Sequence, residues 1–191
     1  MKYLVSTRSI AYKPIIMTQE LKNLIDPDGR FYDVIAPVID DLGYRLIRVA
    51  FAGTDPKRGA ILNIAIEPKD GSKLKVDDCK IVSQDLSAVM DVADPIPDNY
   101  VLEVGSAGLD RPLTNKSDFD RFKGYEGKFE CKRPDDNGQR KYRGFIQDVN
   151  DAGFVIQTTD RGDLQLDWSN LSMARLVASD QLLKDLQDGK V

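Results

Sequence analysis

Along residues 30–42, Val34, Ile35, Val38, Ile39 and Leu42 recur at helical spacing, which predicts an amphipathic helix with one apolar face. Pro37 lies inside this stretch and predicts a kink or a late start, while Gly43 suits the position just past a helix end. The period then changes to two. Ile47, Val49 and Phe51 alternate over residues 45–51, and Leu62, Ile64 and Ile66 over residues 60–67, two strands of an antiparallel hairpin joined by the long loop 53–59. Helical spacing returns with Cys79, Val82, Leu86 and Val89. That helix is expected to be capped by Asp77 or Asp78 and stopped by Asp94-Pro95-Ile96-Pro97 near Val92. Tyr100, Leu102 and Val104 make a third strand. Upstream, residues 18–25 suit a short helix with Thr18 as N-cap, followed by the turn Asp26-Pro27-Asp28-Gly29. The order helix, strand, strand, helix, strand predicts an α+β unit, a three-stranded sheet with helices on one face.

From Gly124 the texture becomes short strands and turns. Segments 128–133, 140–149, 154–158, 164–168 and 173–176 read as five strands, with a hairpin tip at Pro134–Gly138, a bend at Gly144 and a turn at Asn150–Gly153. That spacing predicts a small closed β-barrel. The expected organisation is an extension at 1–16, an α+β domain at 17–113, a linker at 114–123, a barrel at 124–178 and a frayed or single-turn tail at 179–191.

Composition narrows the class. The 191 residues are 41% hydrophobic and 30% charged with a net charge of −4, which suits one large or two small domains and argues against a uniformly basic nucleic-acid binder. The charge is uneven, however. Residues 17–110 hold 10 basic and 17 acidic side chains, whereas residues 111–143 hold 10 basic and 6 acidic. The two cysteines, Cys79 and Cys131, fall on apolar faces of different domains, so we read them as small hydrophobes in a reducing cytosol. No histidine is present, which removes the commonest general base and the usual zinc ligands. No run is long and apolar enough to span a membrane as a helix. Residues 1–16 carry Lys2, Arg8 and Lys13 with no acid, and Ser6-Thr7-Arg8-Ser9 interrupts any signal-like core. The expectation is a disordered extension, with Met17 as an alternative start.

One stretch is specific: Tyr100-Val-Leu-Glu-Val-Gly-Ser-Ala-Gly-Leu-Asp-Arg-Pro-Leu113. A strand breaks at Gly105-Ser106-Ala107-Gly108, where glycine permits positive φ. Leu109-Asp110-Arg111-Pro112-Leu113 follows, with Pro112 restricting the backbone and two leucines as anchors. Asp110 is expected to accept backbone N–H bonds and Arg111 to pair with a carboxylate, making a rigid clip between domains; the competing reading is that Arg111 points outward to a partner. Residues 105–108 do not suit a KH loop, which joins two helices, nor a phosphate loop, since no lysine or helix follows.

This string closely resembles the signature of the bacterial ribosome maturation factor RimP family, Glu-Val-Ser-Ser-Pro-Gly-Leu-Asp-Arg-Pro-Leu, with Gly105 and Ala107 where the family usually has Ser and Pro. By order of elements the resemblance runs from about Phe31 to Leu176. It implies an N-terminal α+β domain and a C-terminal Sm-like barrel. It also implies a non-enzymatic factor that binds the immature small (30S) ribosomal subunit in the cytoplasm, contacting ribosomal RNA and ribosomal proteins such as the small-subunit protein numbered twelve. A monomer is expected, with no cofactor, no metal and no membrane.

The residues expected to carry this function are the motif itself (Gly105, Ser106, Gly108, Leu109, Asp110, Arg111 and Pro112) and a basic hairpin. Lys128, Lys132, Arg133, Arg140, Lys141 and Arg143 cluster around one turn with Tyr142 among them, a pattern for neutralising phosphates. Glu130, Asp135 and Asp136 nearby allow the blander reading of a solvated strand face. A general RNA-binding or translation-regulating module is the alternative function. An enzyme built on Asp110 and Arg111, or on Glu103 and Ser106, lacks a histidine, a metal motif and a phosphate loop to support it.

Overall fold

The computed structural model describes residues 19–191, so Thr18, Met17 and the extension 1–16 lie outside the described residues. The chain forms two sheets in succession. The first has order β1-β2-β3, from β1 (Tyr44–Asp55), β2 (Gly59–Pro68) and β3 (Tyr100–Ser106). β1 and β2 are antiparallel, and β3 returns parallel to β2 after the crossover helix α3 (Val76–Ala93). Ile35 and Ile39 of α2 (Tyr32–Asp41) and Val82, Leu86 and Met90 of α3 close over Leu62, Ile64 and Ile66 of β2 as one apolar cluster. The expected α+β unit, three strands with helices, is therefore present.

Local chemistry explains where its elements begin and end. α2 starts five residues before Pro37, and its first turn is tied down by Asp26, which is 2% exposed. The Asp26 carboxylate accepts N–H bonds from Gly29 (3.0 Å), Phe31 (2.7 Å) and Tyr32 (2.8 Å), satisfying orphan donors at the helix entrance. α3 begins at Val76, before either expected cap; Asp78 reaches back from inside the helix to the Lys75 N–H at 2.8 Å. The expected long loop 53–59 is mostly strand, because Gly53 and Thr54 still pair with Ile61 and Ala60. Asp55 closes the remaining turn by accepting from the Lys57 and Arg58 N–H groups, both at 2.9 Å.

The second sheet comprises β4 (Glu126–Cys131), β5 (Lys141–Val149), β6 (Gly153–Thr158), β7 (Gly162–Asp167) and β8 (Leu171–Leu176). All its pairs are antiparallel, in the order β7-β6-β5-β4-β8. Five strands were expected, but the closed barrel is not formed, and the Sm-like closure is corrected to an open sheet. Two features account for this. A single 3-10 turn, Trp168–Asn170, separates β7 from β8; it is pinned by buried Trp168, whose Nε1–H donates to the Asn150 carbonyl at 3.0 Å. The edge of β8 away from β4 is occupied by the motif itself. Leu113 N–H donates to Ala174 O and Leu176 N–H to Arg111 O, both at 3.0 Å, around a Pro112–Arg175 bridge.

The core of this half is aromatic. Phe119, Phe129, Phe154 and Trp168 pack with ring centroids 4.5–6.3 Å apart. Phe119 and Phe122 come from α4 (Lys116–Arg121) and the residue after it, and Leu21 and Leu24 from α1 (Gln19–Ile25), so segments before and after the first sheet complete the second core. Ile25, one residue beyond Leu24, packs instead into the first cluster. The tail expected to be frayed or a single turn forms the eight-residue helix α5 (Asp180–Gln187) with Leu182 buried. Gly144 is needed for contact rather than for a bend: a Cβ there would lie 2.6 Å from the Gln157 carbonyl oxygen.

Candidate functional site

The motif leaves the first sheet and enters the second within seven residues. Gly105 and Ser106 are still strand, paired with Ala65 and Ile66. Of the two glycines only Gly108 has positive φ, at +72°, and there the chain turns away. Arg111, Pro112 and Leu113 then lie against β8 as described above. Leu113 is fully buried and anchors the segment, but Leu109 is 39% exposed and does not.

Arg111 is the inward-facing residue of the motif, 7% exposed. Its guanidinium donates to Glu67 of β2 and to Asp118 of α4 (3.4 Å), and sits over the Phe122 ring at 5.2 Å. Arg45 of β1 bonds the same two carboxylates, with 2.8 Å to Asp118, and Arg121 reaches Glu67 at 3.2 Å. Asp118 is fully buried, and its second oxygen accepts from the backbone N–H of Thr114 (2.9 Å) and Asn115 (3.2 Å). Three arginines and two carboxylates thus join the two sheets. Burial pushes the Glu67 carboxyl up, but Arg111, Arg45 and Arg121 outweigh it and hold the group below its ordinary value.

Asp110 does not take the expected role. It is exposed, and its carboxylate meets Arg175 at 3.7 Å rather than backbone N–H groups. The backbone-satisfying carboxylate is Asp118, eight residues further on. Its signal in the sequence was Thr114-Asn115 three to four residues before an aspartate, a helix-entrance pattern.

All six cations expected in the basic hairpin are exposed, but they divide into two groups. Lys132, Arg133 and Arg140 sit near the tip. The Lys132 ammonium donates to the Ser169 carbonyl at 3.0 Å, the Arg140 guanidinium to the Lys132 carbonyl, and Arg133 N–H to Asn170 Oδ1 at 2.9 Å. Lys128, Lys141 and Arg143 lie on the sheet face. There Arg143 makes a two-toothed pair with Glu126 (2.7 and 2.8 Å) and Lys141 approaches Glu130 at 3.9 Å. Tyr142 is not among the exposed groups; it is buried, with its hydroxyl on the Gln139 carbonyl. Cys131 is buried and Cys79 half-buried, both are free thiols, and burial raises both above the ordinary value. No group of side chains suited to hold a metal occurs among the described residues.

Comparison with known families bears on the first half of the chain. Residues 34–110 match the model of the RimP N-terminal domain. The chain carries a RimP N-terminal domain. The resemblance read from the motif is thereby borne out over the segment that runs from α2 through β3 to Asp110, where the backbone crosses to the second sheet. No helix among the described residues is long and apolar enough to cross a membrane.

Proposed function

We propose that this protein is a non-enzymatic maturation factor that binds the immature small ribosomal subunit in the cytoplasm, acts as a monomer and leaves the finished particle. The observation that carries the reading is the RimP N-terminal match over residues 34–110. Charge supports it: an acidic first half suits a basic ribosomal protein, the one numbered twelve among the candidates, and the cations of the β4–β5 hairpin suit ribosomal RNA. In this reading the motif residues Gly105 to Pro112 hold the two sheets in one pose while Lys128, Lys132, Arg133, Arg140, Lys141 and Arg143 meet the particle. The division into an N-terminal unit and a C-terminal unit joined near residues 114–123 belongs to the same proposal.

Co-sedimentation at moderate salt tests it. The protein should travel with free small subunits and not with assembled ribosomes. Equal binding to both would favour a general RNA-binding module instead, and binding to neither would remove the ribosomal reading.

A further inference from the structure

The outer face of the second sheet sets Arg175 beside two cations of the basic hairpin. Lys128 is the direct cross-strand neighbour of Arg143 on one side and of Arg175 on the other, and all three are exposed. Like charges opposite each other on adjacent strands oppose folding. Glu126 neutralises Arg143. Arg175 has only Asp110, at 3.7 Å, and Lys128 has no ion-pair partner among the described residues.

A fourth cation, on the other sheet, feels the charge of this row. Arg48 of β1 is half-buried and makes no hydrogen bond or ion pair among the described residues. Burial first, and then repulsion from Arg175, lower its guanidinium from the ordinary value against the weaker pull of Asp28. Arg48 and Arg175 thus repel each other, with Asp28 and Asp110 as the carboxylates that act on them. Phe145, two residues beyond Arg143 on the same strand face, is 45% exposed. Cations beside an exposed aromatic ring match what single-stranded nucleic acid requires, phosphate neutralisation and a surface for base stacking.

We propose that Arg48, Arg175 and Lys128 form a phosphate-binding seat for single-stranded RNA that spans both sheets, with Phe145 as a stacking platform beside it. The choice of RNA among polyanions rests on the ribosomal reading above; the seat itself rests on the cross-strand register that sets Lys128 beside Arg175.

The test is fluorescence anisotropy of a labelled, mixed-sequence single-stranded RNA across a salt series, with the full chain. The variants are Arg48→Gln with Arg175→Gln, Lys128→Gln, and Phe145→Ala. The control is Lys57→Gln with Lys73→Gln, two exposed lysines of the first half. The double variant should bind more weakly and lose about 1.4 from the log–log salt slope, about 0.7 for each lost phosphate contact. Lys128→Gln should lose about half as much, Phe145→Ala should weaken binding without changing the slope, and the control should match wild type. If Arg48→Gln disturbs the fold, Arg175→Gln and Lys128→Gln alone, both exposed, carry the same measurement. A slope unchanged in the Arg175 and Lys128 variants overturns the seat, as does a wild type that binds no RNA. Loss of subunit binding in the double variant with RNA binding intact also overturns it, since the patch would then contact protein. In each case wild-type co-sedimentation with small subunits reports separately on the ribosomal reading.

Discussion

Arg111 illustrates how one residue holds two sheets together. Its aliphatic stem and guanidinium are buried over Phe122, and its charge is met by Glu67 from the first sheet and Asp118 from the second half. The reading of Arg111 as a solvent-facing recognition residue predicts no change in stability on truncation. The buried pair predicts the opposite. Arg111→Ala leaves two carboxylates short of a partner and should destabilise by about 3 kcal/mol, measured by urea denaturation; an unchanged midpoint would contradict the structural role. At the other end of the chain, Asp185 accepts from Tyr125 Oη (2.7 Å), Gln181 Nε2 (2.5 Å) and Lys190 Nζ (3.0 Å). The Gln181 bond first, then the Tyr125 and Lys190 bonds, lower its carboxyl from 3.8 to about 2. A depressed carboxyl contributes stability that is fully present above the ordinary value and is lost as pH falls. The docking of α5 should therefore weaken between about pH 4 and pH 2. Asp185→Asn should flatten that part of an acid titration followed by hydrogen exchange of α5 amides.

At the scale of elements, close backbone approach limits what the second sheet tolerates. A Cβ on Gly153 would lie 1.9 Å from the Leu166 carbonyl oxygen, across the β6–β7 pair. Gly153→Ala should force the strands apart and lower stability by roughly 1–3 kcal/mol. A thermal melt equal to wild type would show that the strands can shift without loss. The helices respond to different forces. α1 is only seven residues and is held by burial rather than by its own propensity, with Leu21 and Leu24 in the second core and Ile25 in the first. Leu24→Ala should cost about 2–5 kcal/mol by leaving a cavity under that helix, read from the denaturation midpoint.

Across the whole molecule, the cluster of Arg45, Glu67, Arg111, Asp118 and Arg121 couples two separate cores, one mainly aliphatic and one richer in aromatic rings. Trp168, the single tryptophan, reports on the aromatic core. Wild-type unfolding followed by its fluorescence and by far-ultraviolet circular dichroism should coincide. In Glu67→Gln the two curves should separate, because the arginines lose their shared carboxylate while each core keeps its packing. Coincident curves in that variant would show that α1 and the Arg111–Leu113 segment suffice for coupling. The wild-type coupling should also depend on pH. Glu67 is held below its ordinary value of 4.5, so its contribution is complete above that value and fades as pH drops below it.

Periodicity alone determined most of the elements. Helical and strand spacing placed α2, α3, β1–β3 and the five strands of the second sheet within a few residues, because burial of one face imposes that pattern directly. The motif string pointed to the family that the match over residues 34–110 supports. Tertiary structure decided what depends on partners far apart in the chain. It put the motif on the edge of β8, which leaves the second sheet open, and it gave the capping role to Asp118 rather than Asp110. It set Arg143, Lys128 and Arg175 side by side across three strands. The physical reason is range. Local spacing reports which face of an element turns inward, but the identity of a buried charge's partner is set only when elements tens of residues apart are brought within hydrogen-bonding distance.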